Sequence, residues 1–263
     1  MRAPELMRAV EERLGAAGCV AATEEAEELV GRAPDRATVE AWTARRAEGE
    51  PLAWIVGALE FCGRDIAATA GVYVPRPQTE QLAIRAAGRL PPGGRAADLC
   101  SGTGAVAAHL RAAVAGARVV ATDIDPRAAA CARRNGVAAL VTDVGAGLRA
   151  GVFDVVTAVA PYVPTAGLGF LPSDVQRYEP RLALDGGPDG LDVVRRVVAA
   201  ASRLLRPGGW LLIELGADQD ASLGPALASG GFVSTRTWHD EEGDLRGLAT
   251  QRAPGRDGGV LAT

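Results

Sequence analysis

Three aspartates follow short apolar segments, at the points where strands are expected to end. Asp98 closes RAAD, Asp123 closes RVVATD and Asp143 closes AALVTD. In an open α/β sheet, ligands bind beyond the carboxyl ends of the parallel strands, so these carboxylates should meet at one edge. Carboxylate oxygens accept hydrogen bonds from ribose hydroxyls or an adenine amine, and they pair with ammonium groups. The pattern therefore predicts a site for a nucleoside.

A glycine-rich loop directly after Asp98 supplies the second part of this site. Its residues are Cys100, Ser101, Gly102, Thr103 and Gly104. The two glycines allow a tight turn and a close approach of the backbone to a ligand, because no Cβ is in the way. Asp123 lies 21 residues after Gly102, where an acid after the next strand can accept hydrogen bonds from both ribose hydroxyls. We expect the loop and Asp123 to bind one cofactor.

A nicotinamide dinucleotide is the main alternative cofactor. Residues 102–107, Gly-Thr-Gly-Ala-Val-Ala, also satisfy the Gly-x-Gly-x-x-Gly/Ala fingerprint of dinucleotide-binding folds. Asp98 argues against it, because a carboxylate beside a pyrophosphate is unfavourable. S-Adenosylmethionine instead brings an ammonium group that Asp98 could pair with. For Asp143 alone, a simple turn role is an equal alternative.

Alternating strands and helices must position these residues. From Thr79 onward, apolar segments of strand length alternate with alanine-rich segments of helical length, which is typical of right-handed βαβ units on a parallel sheet. The predicted parallel strands are RAADLC, RVVATD, AALVTD, FDVVTAV and GGWLLIEL, and GFVSTRTW and RGLATQR should pair antiparallel. The pattern predicts a doubly wound, Rossmann-like α/β fold of the S-adenosylmethionine-dependent methyltransferase type.

Two smaller units precede the α/β domain. Residues 1–50 contain apolar residues at four-residue spacing, with Thr23 and Asp35 placed as N-caps, which predicts a small helical N-terminal domain. Residues 51–77 carry β-branched and aromatic residues between glycines, which predicts a β-hairpin connector. The methyltransferase domain is expected at 78–263.

Composition disfavours several classes of protein. The 263 residues carry a formal net charge of -4, and the arginines are dispersed, which disfavours direct binding to nucleic acid. The four cysteines lie far apart, so we expect neither disulfides nor a metal site, and we expect a cytoplasmic protein with reduced thiols. No stretch approaches the ~18 apolar residues of a membrane span, so no membrane partner is expected.

Four ordered segments resemble the HemK-like protein glutamine N5-methyltransferases, which modify peptide chain release factors. The segments are Pro51 to Gly57, Pro75 to Glu80, Asp98 to Gly104, and Glu179 to Gly187. The resemblance runs from about Pro51 nearly to the C-terminus. It implies S-adenosylmethionine as cofactor, a sheet with a reversed C-terminal strand, a helical N-terminal domain that helps hold a protein substrate, and a release-factor glutamine as methyl acceptor.

The resemblance also implies roles for individual residues. The loop from Cys100 to Gly104 would hold the methionine end of the cofactor, Asp123 would hold the ribose, and Asp143 with Val144 would hold the adenine edge. Two further residues would lie near the substrate entrance, although both are also ordinary residues at the start of a helix. These residues are Arg76 and Glu80.

The catalytic tetrapeptide departs from the family's Asn-Pro-Pro-Tyr. This chain has Val159, Ala160, Pro161 and Tyr162 after the fourth strand. The family holds the acceptor amide with the Asn side-chain oxygen and a backbone carbonyl, and Val159 offers no side-chain acceptor. The Ala160 carbonyl can accept one hydrogen bond, and Tyr162 offers a ring for the acceptor to lie against. Thr157, on the same strand face as Val159, is a hypothetical replacement.

Three other functions stay open at this point. A small-molecule methyltransferase that has replaced the amide clamp is compatible with Val159 and with Gln78, which is unusual in the Pro-Arg-Pro segment. A non-catalytic protein that binds S-adenosylmethionine and a partner is the second. A DNA adenine methyltransferase would use a similar tetrapeptide, but the acidic balance and the lack of a target-recognition segment count against it.

Overall fold

The computed structural model describes residues 3–255 and begins with a small cluster of helices. The helices are α1 (Ala3–Ala16), α2 (Ala22–Arg32), α3 (Arg36–Ala47) and the short α4 (Leu52–Val56). Leu14 and Leu29, both fully buried, belong to a separate apolar core that these helices share. The N-terminal helices therefore pack on one another around a core of their own.

One of the two predicted N-caps is confirmed. The Asp35 carboxylate accepts a hydrogen bond from the backbone N–H of Thr38 at 2.8 Å, at the start of α3. The prediction for Thr23 is wrong, because α2 already begins at Ala22. The Thr23 hydroxyl instead donates to Glu11 of α1, so it links two helices.

The connector contains a helix before its hairpin. The hairpin consists of β1 (Ala58–Phe61) and β2 (Arg64–Ala67), paired antiparallel. The pattern of β-branched and aromatic residues did not predict α4, which ends at Gly57 with φ +83°. Ile55 of α4 is buried in the core of the N-terminal helices, so burial stabilises a helix that its own residues favour only weakly.

A seven-stranded sheet forms the centre of the remaining chain. Its strands are β3 (Arg95–Leu99), β4 (Arg118–Asp123), β5 (Ala138–Val141), β6 (Phe153–Ala158), β7 (Leu205–Glu214), β8 (Phe232–His239) and β9 (Leu245–Arg252). Their order is β5-β4-β3-β6-β7-β9-β8. Strands β3 to β7 are parallel, and β9 is antiparallel to both β7 and β8. The predicted fold and its reversed C-terminal strand are confirmed.

Helices cover both faces of this sheet. They are α5 (Thr79–Ala87), α6 (Ala105–Ala113), α7 (Pro126–Arg134), α9 (Asp192–Leu204) and α10 (Gln219–Ser229). The short α8 (Ser173–Tyr178) lies between β6 and α9 in the sequence and has no buried residue. One apolar core packs α5, α6 and α7 against the sheet, and another packs α9 and α10. No helix within the described range is long and apolar enough to cross a membrane. Residues 256–263 of the predicted methyltransferase domain lie outside the described residues.

Asn135 joins the hairpin to the glycine-rich loop. Its Oδ1 accepts a hydrogen bond from the Ala67 N–H at 2.8 Å, and its Nδ2 donates to the carbonyls of Ala67 at 3.0 Å and Thr103 at 2.8 Å. Asn135 also ends α7, and Gly136 follows with φ +75°, as the helix stop predicted. One side chain therefore fixes β2, α7 and the loop relative to one another.

Asn135→Ala should destabilise the protein, because it removes these three hydrogen bonds. At about 1 kcal/mol for each, we expect the free energy of unfolding to fall by roughly 2 to 4 kcal/mol, measured by chemical denaturation. The control is Gln81→Ala on an exposed position of α5, which should change stability by less than about 0.5 kcal/mol. Equal midpoints for the two variants would contradict the role of Asn135.

Candidate functional site

A cavity of about 1020 Å³, including its open mouth, lies at the carboxyl ends of the parallel strands. The glycine-rich loop forms one side, and Asp123, Asp143 and Val144 form the next. Residues 71–75 contribute to the wall, through Tyr73 among others. The structure thus brings together predicted residues that lie more than 40 positions apart in the sequence.

The Asp123 carboxylate is held by two backbone N–H groups. Its Oδ2 accepts from Gly102 and its Oδ1 accepts from Asp125, each at 2.9 Å. Burial raises the pKa of Asp123, and these hydrogen bonds oppose the rise. Each carboxylate oxygen can accept a further hydrogen bond, so the pair suits two neighbouring hydroxyls of a ribose.

The glycine-rich loop is shaped to receive a ligand. Gly104 has φ +76°, and a Cβ at this position would lie 2.7 Å from the Cβ of Ala132. Cys100 has φ +55° although it carries a side chain, a conformation often found at functional sites. Ser101 and Thr103 are among the residues that line the cavity, and their hydroxyl oxygens are buried without a hydrogen-bond partner among residues 3–255. These oxygens fit a polar ligand such as the methionine end of S-adenosylmethionine.

Asp98 lies beneath the loop and does not line the cavity. Its side chain is 2% exposed, and Thr157 Oγ1 donates to its Oδ1 at 2.7 Å. Its Oδ2 has no partner in the described part of the chain, and burial raises its pKa to about 7. Its pairing with an ammonium group stays a prediction. The hypothesis that Thr157 replaces the missing acceptor is wrong, because this hydroxyl is fully buried and bonded to Asp98.

Asp143 and Val144 lie at the outer rim of the cavity. The Asp143 carboxylate is half exposed and pairs with Arg196 of α9, which also lines the cavity. Val144 follows with φ +41°. The ion pair connects the segment after β5 to a helix on the opposite side of the cavity mouth.

A second cavity adjoins the first. The two share Tyr73, Val159 and Ala183, and the second is also lined by Ala160 and Tyr162. No described residue donates a hydrogen bond to the Ala160 carbonyl oxygen. Three members of the tetrapeptide therefore line the second cavity, and Val159 lies where it meets the cofactor cavity.

A buried carboxylate holds Tyr162 in position. The Tyr162 hydroxyl donates to Glu214 Oε1 at 3.3 Å, and Thr79 Oγ1 at the start of α5 donates to Glu214 Oε2 at 2.6 Å. Glu214 is 1% exposed, and burial raises its pKa. The backbone carbonyl of Tyr162 also accepts a hydrogen bond from Gln219 Nε2 at 2.8 Å. The tetrapeptide and the start of α5 are thus fixed to the same carboxylate.

Of the two predicted substrate-binding residues, the structure brings only Arg76 to the second cavity. Arg76 pairs with the buried Glu179 at 2.6 Å and lies over the ring of Tyr73 at 5.0 Å. The Glu80 carboxylate lines neither cavity and instead accepts a hydrogen bond from the Cys62 N–H at 2.8 Å. Glu80 therefore stabilises the hairpin turn.

No role was predicted from the sequence for Tyr73, Glu179 or Glu214, although Glu179 begins one of the family segments. Glu214 could have been found by the rule that selected the aspartates, because it ends another parallel strand. Tyr73 and Glu179 lie in irregular segments, where no periodicity marks them. Within residues 3–255, no cluster of His, Cys, Asp and Glu could hold a metal ion.

Comparisons with known proteins agree with this geometry. The family described as "Methyltransferase domain" matches residues 97–162, which run from β3 to the tetrapeptide. "Release factor glutamine methyltransferase" from Geobacter sulfurreducens is 40% identical over 206 residues, which cover 76% of this chain and 72% of that protein. The protein of the same name from Cereibacter sphaeroides is 35% identical over an alignment of 280 positions, gaps included, which covers 97% of this chain and 99% of that protein.

The fold is also found among solved structures. Ribosomal protein L11 methylase from Lactobacillus delbrueckii subsp. bulgaricus matches with a TM-score of 0.52 and 20% identity, over 70% of this chain and 83% of that chain. At this identity the likeness concerns the fold alone. The match to the methyltransferase family and the relatives named release factor glutamine methyltransferase identify S-adenosylmethionine as the cofactor.

Asp123→Asn should weaken cofactor binding, because an NH₂ donor would replace one of the two acceptor oxygens. We expect the Kd for S-adenosylmethionine to rise about 10- to 100-fold, measured by isothermal titration calorimetry. The matched control is Asp218→Asn, an exposed position beside α10 that lines neither cavity. An unchanged Kd in Asp123→Asn would contradict the predicted role of this carboxylate.

The raised pKa of Asp98 predicts a loss of stability with rising pH. The folded-state pKa of Asp98, about 7, exceeds the unfolded value of about 3.9. Between these two pH values the Asp98 carboxyl is therefore protonated in the folded state and ionised in the unfolded state. The stabilisation of the folded state by this proton is fully present below about pH 4 and is lost as the pH rises through about 7. In the absence of cofactor, the melting temperature of Asp98→Asn should exceed that of wild type by about 3 °C or more at pH 8, and this gap in melting temperature should close towards pH 4. A gap that does not change with pH would contradict this assignment.

Proposed function

Because the chain belongs to the family of release factor glutamine methyltransferases, we propose that it methylates the side-chain amide nitrogen of a glutamine in a peptide chain release factor. The observation that carries the proposal is the pair of adjoining cavities that meet at Val159. One cavity suits the cofactor, and the other could receive a side chain from a protein. Because peptide release takes place in the cytoplasm, the proposal also places the protein there.

The proposed mechanism is direct transfer in which the protein positions the acceptor. When bound, S-adenosylmethionine supplies an electrophilic methyl carbon on a positively charged sulfur. An amide nitrogen is a poor nucleophile because its lone pair is delocalised, so the Ala160 carbonyl and the Tyr162 ring contribute mainly by orientation. The acceptor nitrogen would form a bond to the methyl carbon while the electron pair of the breaking carbon–sulfur bond would stay on the sulfur, and the nitrogen would release one proton to solvent. No covalent bond to the protein is required.

The proposed partner is a protein, and the N-terminal helices lie where they can contact it. The Tyr178 hydroxyl of α8 donates to the Glu48 carbonyl at 3.3 Å, and Trp54 of α4 packs edge-on against the Tyr178 ring. The preceding residues of α8, among them Asp174 and Val175, line the second cavity. These contacts support the proposal that residues 1–50 form a domain that helps hold the substrate.

A small-molecule methyltransferase is the second candidate, and Val159 is the observation that favours it. Beside this residue the second cavity has further apolar walls, formed by Leu171, Pro172 and Leu184. Such a cavity suits a compact organic acceptor as well as a protein side chain. The two candidates differ in whether transfer needs a folded protein substrate.

A labelled-methyl transfer assay with a bacterial release factor tests the proposal. We expect the wild-type chain to add one methyl group to a single glutamine, located by mass spectrometry, and to add none when that glutamine is replaced by alanine. Gly104→Ala is the inactive control, because its Cβ would collide with Ala132. Transfer to small amides or amines but not to the release factor would overturn the proposal and support the second candidate.

A further inference from the structure

The second cavity lacks an obvious partner for one hydrogen of an acceptor amide. A carboxamide carries two N–H donors and one carbonyl acceptor. The Ala160 carbonyl can take one N–H, whereas the Val159 side chain, unlike that of an asparagine, can take none. An amide N–H that is buried on binding without a partner weakens binding or turnover by roughly 10- to 100-fold. The second N–H of the acceptor amide therefore needs another oxygen that lines this cavity.

The described side chains that line the cavity and carry oxygen are Tyr73, Gln78, Tyr162 and Asp174. Three of them already make contacts within the protein. The Tyr162 hydroxyl donates to Glu214, Oδ1 of Asp174 accepts from the backbone N–H of Val175, and the Tyr73 ring lies under the Arg76 guanidinium. The Gln78 amide makes no hydrogen bond to any residue in the described range. It is the carboxamide among the four side chains, so it can both donate to and accept from the amide of a ligand.

The backbone of Gln78 is fixed relative to the tetrapeptide. Gln78 directly precedes α5, and the next residue, Thr79, donates to Glu214 Oε2 at 2.6 Å. The other oxygen of the same carboxylate accepts the Tyr162 hydroxyl. The buried Glu214 thus holds both sides of the cavity at a set separation, so the Gln78 side chain is presented with little loss of backbone entropy on binding.

We infer that Gln78 determines the specificity of the acceptor cavity, with its Oε1 supplying the hydrogen-bond acceptor that Val159 lacks. This inference rests on the proposed function. Two carboxamides can pair through two reciprocal N–H···O bonds, so Gln78 Nε2 donates to the carbonyl of the acceptor glutamine. The second N–H of the acceptor then goes to the Ala160 carbonyl. A glutamate in place of the acceptor has no N–H for Gln78 Oε1 and is rejected.

The test combines Gln78→Leu, Val159→Asn and the double variant in the full-length chain. Methyl transfer to a release factor is measured beside S-adenosylmethionine binding. We expect Gln78→Leu to lower kcat/KM for the release factor about 10- to 100-fold without changing the Kd for the cofactor. In the double variant, Val159→Asn should restore kcat/KM at least about 10-fold relative to Gln78→Leu alone. Gln81→Leu, at an exposed position of α5 three residues after Gln78, should match wild type.

Each outcome separates this inference from the proposed function. If wild type transfers no methyl group to the release factor, the proposed function fails and the inference fails with it. If wild type is active and Gln78→Leu is equally active, the proposed function stands and Gln78 has no role in specificity. A loss in Gln78→Leu that Val159→Asn does not restore also overturns the inference, because Gln78 then does not supply the missing acceptor.

Discussion

The hydrogen bond from the Gly102 N–H to the Asp123 carboxylate is the interaction on which the site depends. It joins the loop after β3 to the end of β4, so the cavity wall forms only when both strands are in register. Burial of Asp123 opposes its ionisation, and the two backbone N–H groups offset that cost. Asn135 holds the other side of the loop through the Thr103 carbonyl. Hydrogen bonds within the protein thus fix the shape of the glycine-rich loop on both sides.

The acceptor side depends on a second buried carboxylate. Glu214 holds Tyr162 and Thr79 together, which keeps the tetrapeptide opposite the start of α5. Arg76 and Glu179 brace the same cavity through a partly buried ion pair. For a reaction that needs little from the protein besides orientation, such fixed positioning is the main source of rate. The substitution at Val159 changes one contact and leaves this framework in place.

The sheet and the cofactor side could be predicted because both follow from local patterns. Parallel strands end at one edge, so the acids after β3, β4 and β5 had to lie near one another. Helix α10 could not be predicted, because it contains Gly224 and Pro225, and it forms because Leu223 and Leu227 are buried. Glu80 matched a family segment, but its contact with Cys62 arises from the folding of the hairpin, which no sequence spacing indicates.

Isothermal titration of the wild-type chain with S-adenosylmethionine, and separately with NAD, tests the central claim most directly. The glycine-rich loop satisfies the fingerprints of both cofactors, and only the surrounding residues distinguish them. The account predicts saturable binding of one S-adenosylmethionine per chain and no heat of binding with NAD. Binding of NAD without binding of S-adenosylmethionine would contradict it.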